Sequence, residues 1–134
     1  MTLTSIVSPY EKNRRVSELL AGRSYTAMLC SHVNGGANEQ STWTEWEAQE
    51  LPSTNGYSRK TGTIGTGVYN TTAQAVECPA ITMLFTAVGG DYTYAYLVVR
   101  VGTETGIHSL HTENPTITVS ASRPKGYTLV FGEA

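Results

Sequence analysis

The segment Tyr92–Val101, Tyr-Thr-Tyr-Ala-Tyr-Leu-Val-Val-Arg-Val, constrains this chain more than any other. Its aromatic and β-branched side chains suit a pleated, half-buried surface. Turn residues close it on both sides, Gly89-Gly90-Asp91 before it and Thr103–Gly106 after it. A strand of this kind needs partners, and the chain supplies them. Tyr25–Val33 is an apolar run bounded by Gly22 and by Asn34-Gly35-Gly36. Tyr57–Ile64, Ala73–Cys78 (stopped by Pro79), Ile81–Val88, Ile107–Leu110, Thr116–Ser120 and Tyr127–Phe131 read as further strands. Val68–Thr72 reads as a loop. About eight strands with turns at intervals near ten residues predict an all-β fold, a jelly-roll or barrel-like antiparallel sandwich. No stretch within the strand region offers the helical crossover of roughly a dozen residues that parallel pairing needs.

One short N-terminal helix precedes the strands. Asn13–Ala21 places Val16, Leu19 and Leu20 on one face, Ser8-Pro9 suits the opening, and Gly22 stands where a C-terminal cap glycine belongs. Residues 1–12 are then expected to form an extended N-terminal arm, with Ile6 and Tyr10 as its apolar contacts. Residues 13–134 are expected to form a single β domain.

Charged residues make up 15% of the chain, against about a quarter in an ordinary soluble domain. Such a surface is easily apposed to another protein, because fewer hydrated charges are stripped on contact. The net charge of −2 and the scattered basic residues predict no nucleic-acid partner. No apolar run reaches the ~20 residues of a membrane span, and Met1–Lys12 lacks the pattern of a signal peptide, so no membrane and no export are expected.

A search for chemistry yields named failures. Cys30 and Cys78 lie in apolar strand-like stretches and are expected to be free, buried thiols. His108 and His111 would share a face on a helix but not on a strand, which argues against a metal site, and no cofactor is expected. Cys30 and His32 on one strand point the same way rather than toward each other, so they make a poor nucleophile–base pair. Glu45, Glu47 and Glu50 cluster beside Trp43 and Trp46, but nothing fixes the acids at a working separation for glycoside chemistry. The glycines of 62–67 precede no helix and so lack the amide cradle of a phosphate loop. No catalytic residue is assigned, and the chain is not expected to be an enzyme.

Aromatic placement remains. Tyr92, Tyr94 and Tyr96 alternate and line one face of their strand. Facing outward they form an interaction strip; facing inward they form a half-buried layer with hydroxyls at its rim. Trp43 and Trp46 fall in the long polar excursion Asn34–Asn55, where they either anchor an interface or tuck under the loop. Trp43, Trp46, Tyr92, Tyr94, Tyr96, Ile6 and Tyr10 are the candidate interaction residues.

Short motifs along the chain carry a resemblance. A helix ending in glycine leads to Ser24-Tyr25-Thr26, and Gly56-Tyr57-Ser58-Arg59 opens a strand after the long loop. Asn70 is followed by Val76-Glu77-Cys78-Pro79 and then by Ile81-Thr82-Met83-Leu84-Phe85. Thr116-Ile117-Thr118-Val119 and Gly126-Tyr127-Thr128-Leu129 close the series. In this order the chain resembles a family of small tailed-bacteriophage virion proteins, capsid decoration (cement) or tail-fibre-like, although Cys78 stands where an aromatic is usual. The resemblance implies a β module in the virion, assembled in the host cytoplasm. Its partners would be the major capsid protein or another virion protein, and it would be a homodimer or homotrimer. Bridging of capsomers is the expected role; the alternative is a tail or tail-fibre component that binds a host surface glycan.

Overall fold

A computed structural model describes residues 7–31 and 40–133. In chain order the elements are α1 (Pro9–Leu19), β1 (Ser24–Cys30), α2 (Trp43–Glu47), β2 (Lys60–Thr63), β3 (Val68–Asn70), β4 (Ala75–Glu77), β5 (Ile81–Phe85), β6 (Tyr92–Val101), β7 (Ser109–Val119), β8 (Lys125–Leu129) and β9 (Gly132–Glu133). The fold is all-β with antiparallel sheets and a short N-terminal helix, as the strand spacing predicts. Ile6 and His32 lie outside the described residues.

The expectation of one domain from residue 13 onward meets a different division. The described residues form two compact units from interleaved segments, residues 7–23, 63–81 and 128–133 in the first and 24–31, 40–62 and 82–127 in the second.

In the first unit, α1 packs on a three-stranded sheet of order β3-β4-β9. The helix starts at Pro9, at the opening that Ser8-Pro9 suggests, so Pro9–Lys12 belong to its first turn and not to the arm expected over residues 1–12. Ser8 explains the start: its Oγ accepts the Glu11 N–H at 3.2 Å, while proline at the first helical position has no N–H to leave unpaired. Gly22, at φ +79°, lets the chain leave the helix through a left-handed conformation. Val16 and Leu20 are buried, but Leu19 is 61% exposed and drops out of the predicted apolar face. Gly67 lies so close to Val16 and Val76 that a Cβ there would meet both side chains. Val68–Asn70, expected as a loop, pairs with β4 in the register Val68↔Glu77, Tyr69↔Val76 and Asn70↔Ala75.

The second unit holds a four-stranded sheet of order β2-β1-β6-β7 and the pair β5-β8. Strand β6 is central and spans the predicted Tyr92–Val101. It pairs with β1 from Tyr25↔Val101 to Cys30↔Tyr96. The two strands expected at 107–110 and 116–120 are one strand, β7, with a register shift in the middle: Tyr94 faces Ile117, and Tyr96 faces Thr112. The residues 113–116 thus oppose Ala95 alone. Pro115 sits in this bulge, where its missing N–H breaks no ladder bond. Tyr92 and Tyr94 face inward and join the sheet to β5 and β8. Tyr57 stacks on Phe85 at 6.4 Å and meets Tyr92 edge-on at 5.7 Å, and Tyr127 meets Phe85 at 6.3 Å and Tyr94 at 6.5 Å. Two β layers closed over aromatic side chains make this unit a sandwich.

Candidate functional site

The long excursion of the second unit contains a helix that the sequence reading missed. Thr42 caps α2: its Oγ1 accepts the Glu45 N–H at 3.2 Å, and the Glu45 carboxylate accepts the Thr42 N–H at 3.1 Å. The Thr-x-x-Glu pattern of this capping box was present in the sequence as a local signal. Residues three apart on a helix share a face, so Trp43 and Trp46 turn inward together. Trp43 is 2% exposed and Trp46 is fully buried, with Met28, Cys30 and Val98 around them. The Trp46 ring lies 5.1 Å from that of Tyr96. Both tryptophans are therefore core residues, which corrects the reading of them as surface anchors. An indole surrounded by apolar side chains gains more from burial than any exposed loop position could offer.

The polar side of α2 carries an ionic network. Arg59 reaches Glu47 at 2.8 Å and Glu50 at 2.8 Å and 2.9 Å. The Tyr57 hydroxyl donates to Glu50 at 2.7 Å and accepts the Leu29 N–H at 3.0 Å. Burial pushes the Glu50 carboxyl up, but the Arg59 and Tyr57 hydrogen bonds outweigh it and hold the group below its ordinary value. Burial, and then the Glu50 carboxylate, raise the Tyr57 phenol. Burial, with the Glu50 charge, pushes the Cys30 thiol up to about 12, so it stays protonated at neutral pH. The guanidinium carbon of Arg59 lies 5.5 Å from the Trp43 ring centroid and that of Arg100 lies 4.6 Å from it. The three acids beside the tryptophans are thus engaged within the fold, Glu45 in the cap and Glu47 and Glu50 on Arg59.

A second cluster sits at the β7 bulge. Tyr127 donates to Glu113 at 2.6 Å, its hydroxyl meets that of Tyr94 at 2.5 Å, and His111 Nε2 lies 3.2 Å from the same carboxylate. The bond from Tyr127 comes first among the effects that hold the Glu113 carboxyl below its ordinary value. Burial raises Tyr94 to about 12. Glu113 and Tyr127 were not singled out from sequence, because only the bulge register brings them together.

The remaining sequence candidates divide plainly. Tyr92 and Tyr94 are buried and Tyr96 is half-buried, so the tyrosine face is an inner layer, not an outward strip. Tyr10 is 79% exposed on the first turn of α1. Cys30 and Cys78 are free and buried, as expected. Among the described residues no cluster of three or more metal-ligating side chains forms. In the first unit an open cleft of about 460 Å³ runs beside Tyr69, Glu77, Cys78 and Pro79.

Fold and site together define an all-β protein whose second unit is a sandwich with the acids and aromatics of its two clusters paired internally. Comparison with protein-family models, with curated proteins and with solved structures finds no match.

Proposed function

We propose that this chain is a structural protein of a tailed-bacteriophage virion, a capsid-decorating (cement) protein that bridges capsomers as a homodimer or homotrimer. The family reading comes from the motif order in the sequence. The observation that carries the contact role is a rigidly mounted apolar tip. Val88 is 70% exposed, yet its N–H donates to the Asn55 carbonyl at 2.9 Å and the Asn55 side chain donates to the Asp91 carbonyl at 2.9 Å. Asn55 and Gly56 both hold positive φ, and a Cβ at Gly90 would meet the Asn55 side chain. An apolar side chain held this firmly in solvent costs little entropy to dock. Bridging several subunits then multiplies weak contacts into firm attachment.

The glycan-binding alternative rested on Trp43 and Trp46 as a stacking platform, and both rings are enclosed in the sandwich. Decoration is therefore the better supported role. The test compares particles with and without this protein for heat and osmotic resistance, and Val88→Asp for attachment. Weaker particles without the protein, and loss of attachment in the variant, are expected. Identical melting of the two particle types rejects the proposal.

A further inference from the structure

Two buried N–H groups find no acceptor among the described residues, the indole Nε1 of Trp43 and the guanidinium Nε of Arg100. They are neighbours, because Arg100 lies over the Trp43 ring. Buried donors are nearly always paired, since the bonds they lose with water must be replaced. Two adjacent donors without acceptors mark one acceptor position.

The charges nearby say what kind of acceptor fits. Arg59, also close to the Trp43 ring, directs its donors to Glu47 and Glu50. Arg100 has no carboxylate within ion-pair distance among the described residues. Its charge faces the Trp43 ring but no carboxylate, and the residue is only part-buried although its Nε is covered. A guanidinium presents Nε–H and Nη–H side by side at the spacing of two carboxylate oxygens. The indole N–H adds a third donor. Three donors suffice for the two oxygens of a carboxylate, while a phosphate would bring two further oxygens that these donors do not meet.

We propose that Trp43 and Arg100 form a carboxylate-binding site, with the ligand held side-on by Arg100 and capped by the Trp43 indole N–H. The carboxylate is that of a small free acid or of an acidic side chain or C-terminus on a partner chain. The site is independent of the virion reading and stands or falls separately.

The full chain is titrated with sodium acetate, sodium phosphate and the amide of N-acetylglutamate, each against sodium chloride at equal ionic strength. Tryptophan fluorescence and thermal midpoint are the readouts. Both carboxylates should bind saturably and raise the midpoint, with phosphate weaker. Arg100→Lys keeps the charge but loses the fork, and Arg100→Gln loses both; each should weaken binding at least tenfold. Trp43→Phe keeps a ring but lacks the N–H, and should weaken it severalfold. Equal binding of the two carboxylates points to a free acid, and tighter binding of the glutamate derivative points to a protein chain. Carboxylate effects no larger than those of chloride, binding unchanged in both Arg100 variants, or phosphate binding as well as acetate would each overturn the site.

Discussion

Tyr127 of β8 donates a 2.6 Å hydrogen bond to Glu113 in the bulge of β7. A carboxylate only accepts, so the Tyr127 proton goes to Glu113 and the 2.5 Å contact with Tyr94 has Tyr94 as donor. The chain of bonds is directional, from the buried Tyr94 of β6 outward to Glu113, where His111 also approaches. It ties both layers of the sandwich at the position where β7 departs from regular pairing with β6.

Removing the middle of that chain should cost more than removing its end. Tyr127→Phe leaves the Tyr94 hydroxyl and the Glu113 carboxylate each short of a partner, for a loss of about 1–3 kcal/mol. Tyr94→Phe removes only the terminal donor and should cost roughly 0.5–1.5 kcal/mol. Urea denaturation of both variants measures the difference. Equal midpoints for Tyr127→Phe and the parent would show that the chain contributes nothing.

Stability should fall in acid through the same carboxyl. Glu113 is held below its ordinary value near 4.5 by Tyr127 first, and Glu50 is held below it by Arg59 and Tyr57 against burial. A group whose folded pKa is depressed contributes stability above its unfolded pKa and loses it as pH falls through the folded value. The thermal midpoint should therefore stay level down to about pH 5 and drop below it. Glu113→Gln should be less stable at neutral pH and show a shallower acid drop. A Glu113→Gln curve parallel to the parent's would remove this carboxyl from the explanation.

Strand β6 was legible to the residue, because an alternating run of aromatic and β-branched side chains between two turns admits one interpretation. Helix α1 was legible in kind and in its Ser8-Pro9 opening, but the apolar spacing from Val16 onward carries no signal for residues 10–12, which form its first turn and not an arm. Strand β3 escaped because three residues show no period, and its pairing with β4 is what makes it a strand. At the site, the Thr42–Glu45 cap was readable locally and with it the inward turn of both tryptophans. The pairs Arg59–Glu47 and Tyr127–Glu113 were not, since they join segments whose register is fixed by tertiary packing and by a bulge.

Arg59 and Arg14 should respond very differently to alanine. Arg59 serves Glu50, whose side chain is largely buried, so its loss leaves a charge short of a partner at a cost of about 1–3 kcal/mol. Arg14 pairs with Glu11 and Glu18 on the exposed surface of α1, where water replaces the pair. Arg14→Ala should leave the urea midpoint where it is, and a comparable loss in both variants would contradict this ranking.

Gly132 should tolerate no side chain. A Cβ there would collide with the Val76 carbonyl across the β4–β9 ladder, and that carbonyl belongs to backbone which cannot rotate away. Gly132→Ala should release β9, seen as lost amide protection at Cys78 and Glu133. Gly22→Ala meets nothing within 4 Å and suffers only from its positive φ, at about 1 kcal/mol. Retained protection at Cys78 in Gly132→Ala would show that the ladder yields.

The two thiols should report on unfolding and not on surface chemistry. Cys30 sits 3.6 Å from the Trp46 carbonyl within the tryptophan core, and its raised pKa leaves almost no thiolate at neutral pH. Cys78 is buried too, and burial alone raises its thiol, but it borders the open cleft of the first unit. A disulfide reagent added to native protein should label Cys78 slowly and Cys30 only at the rate of global opening. Serine at Cys78 should therefore leave a protein whose remaining labelling accelerates in step with added urea. Prompt labelling of Cys30 in native conditions would mean that the tryptophan core opens far more readily than its packing implies.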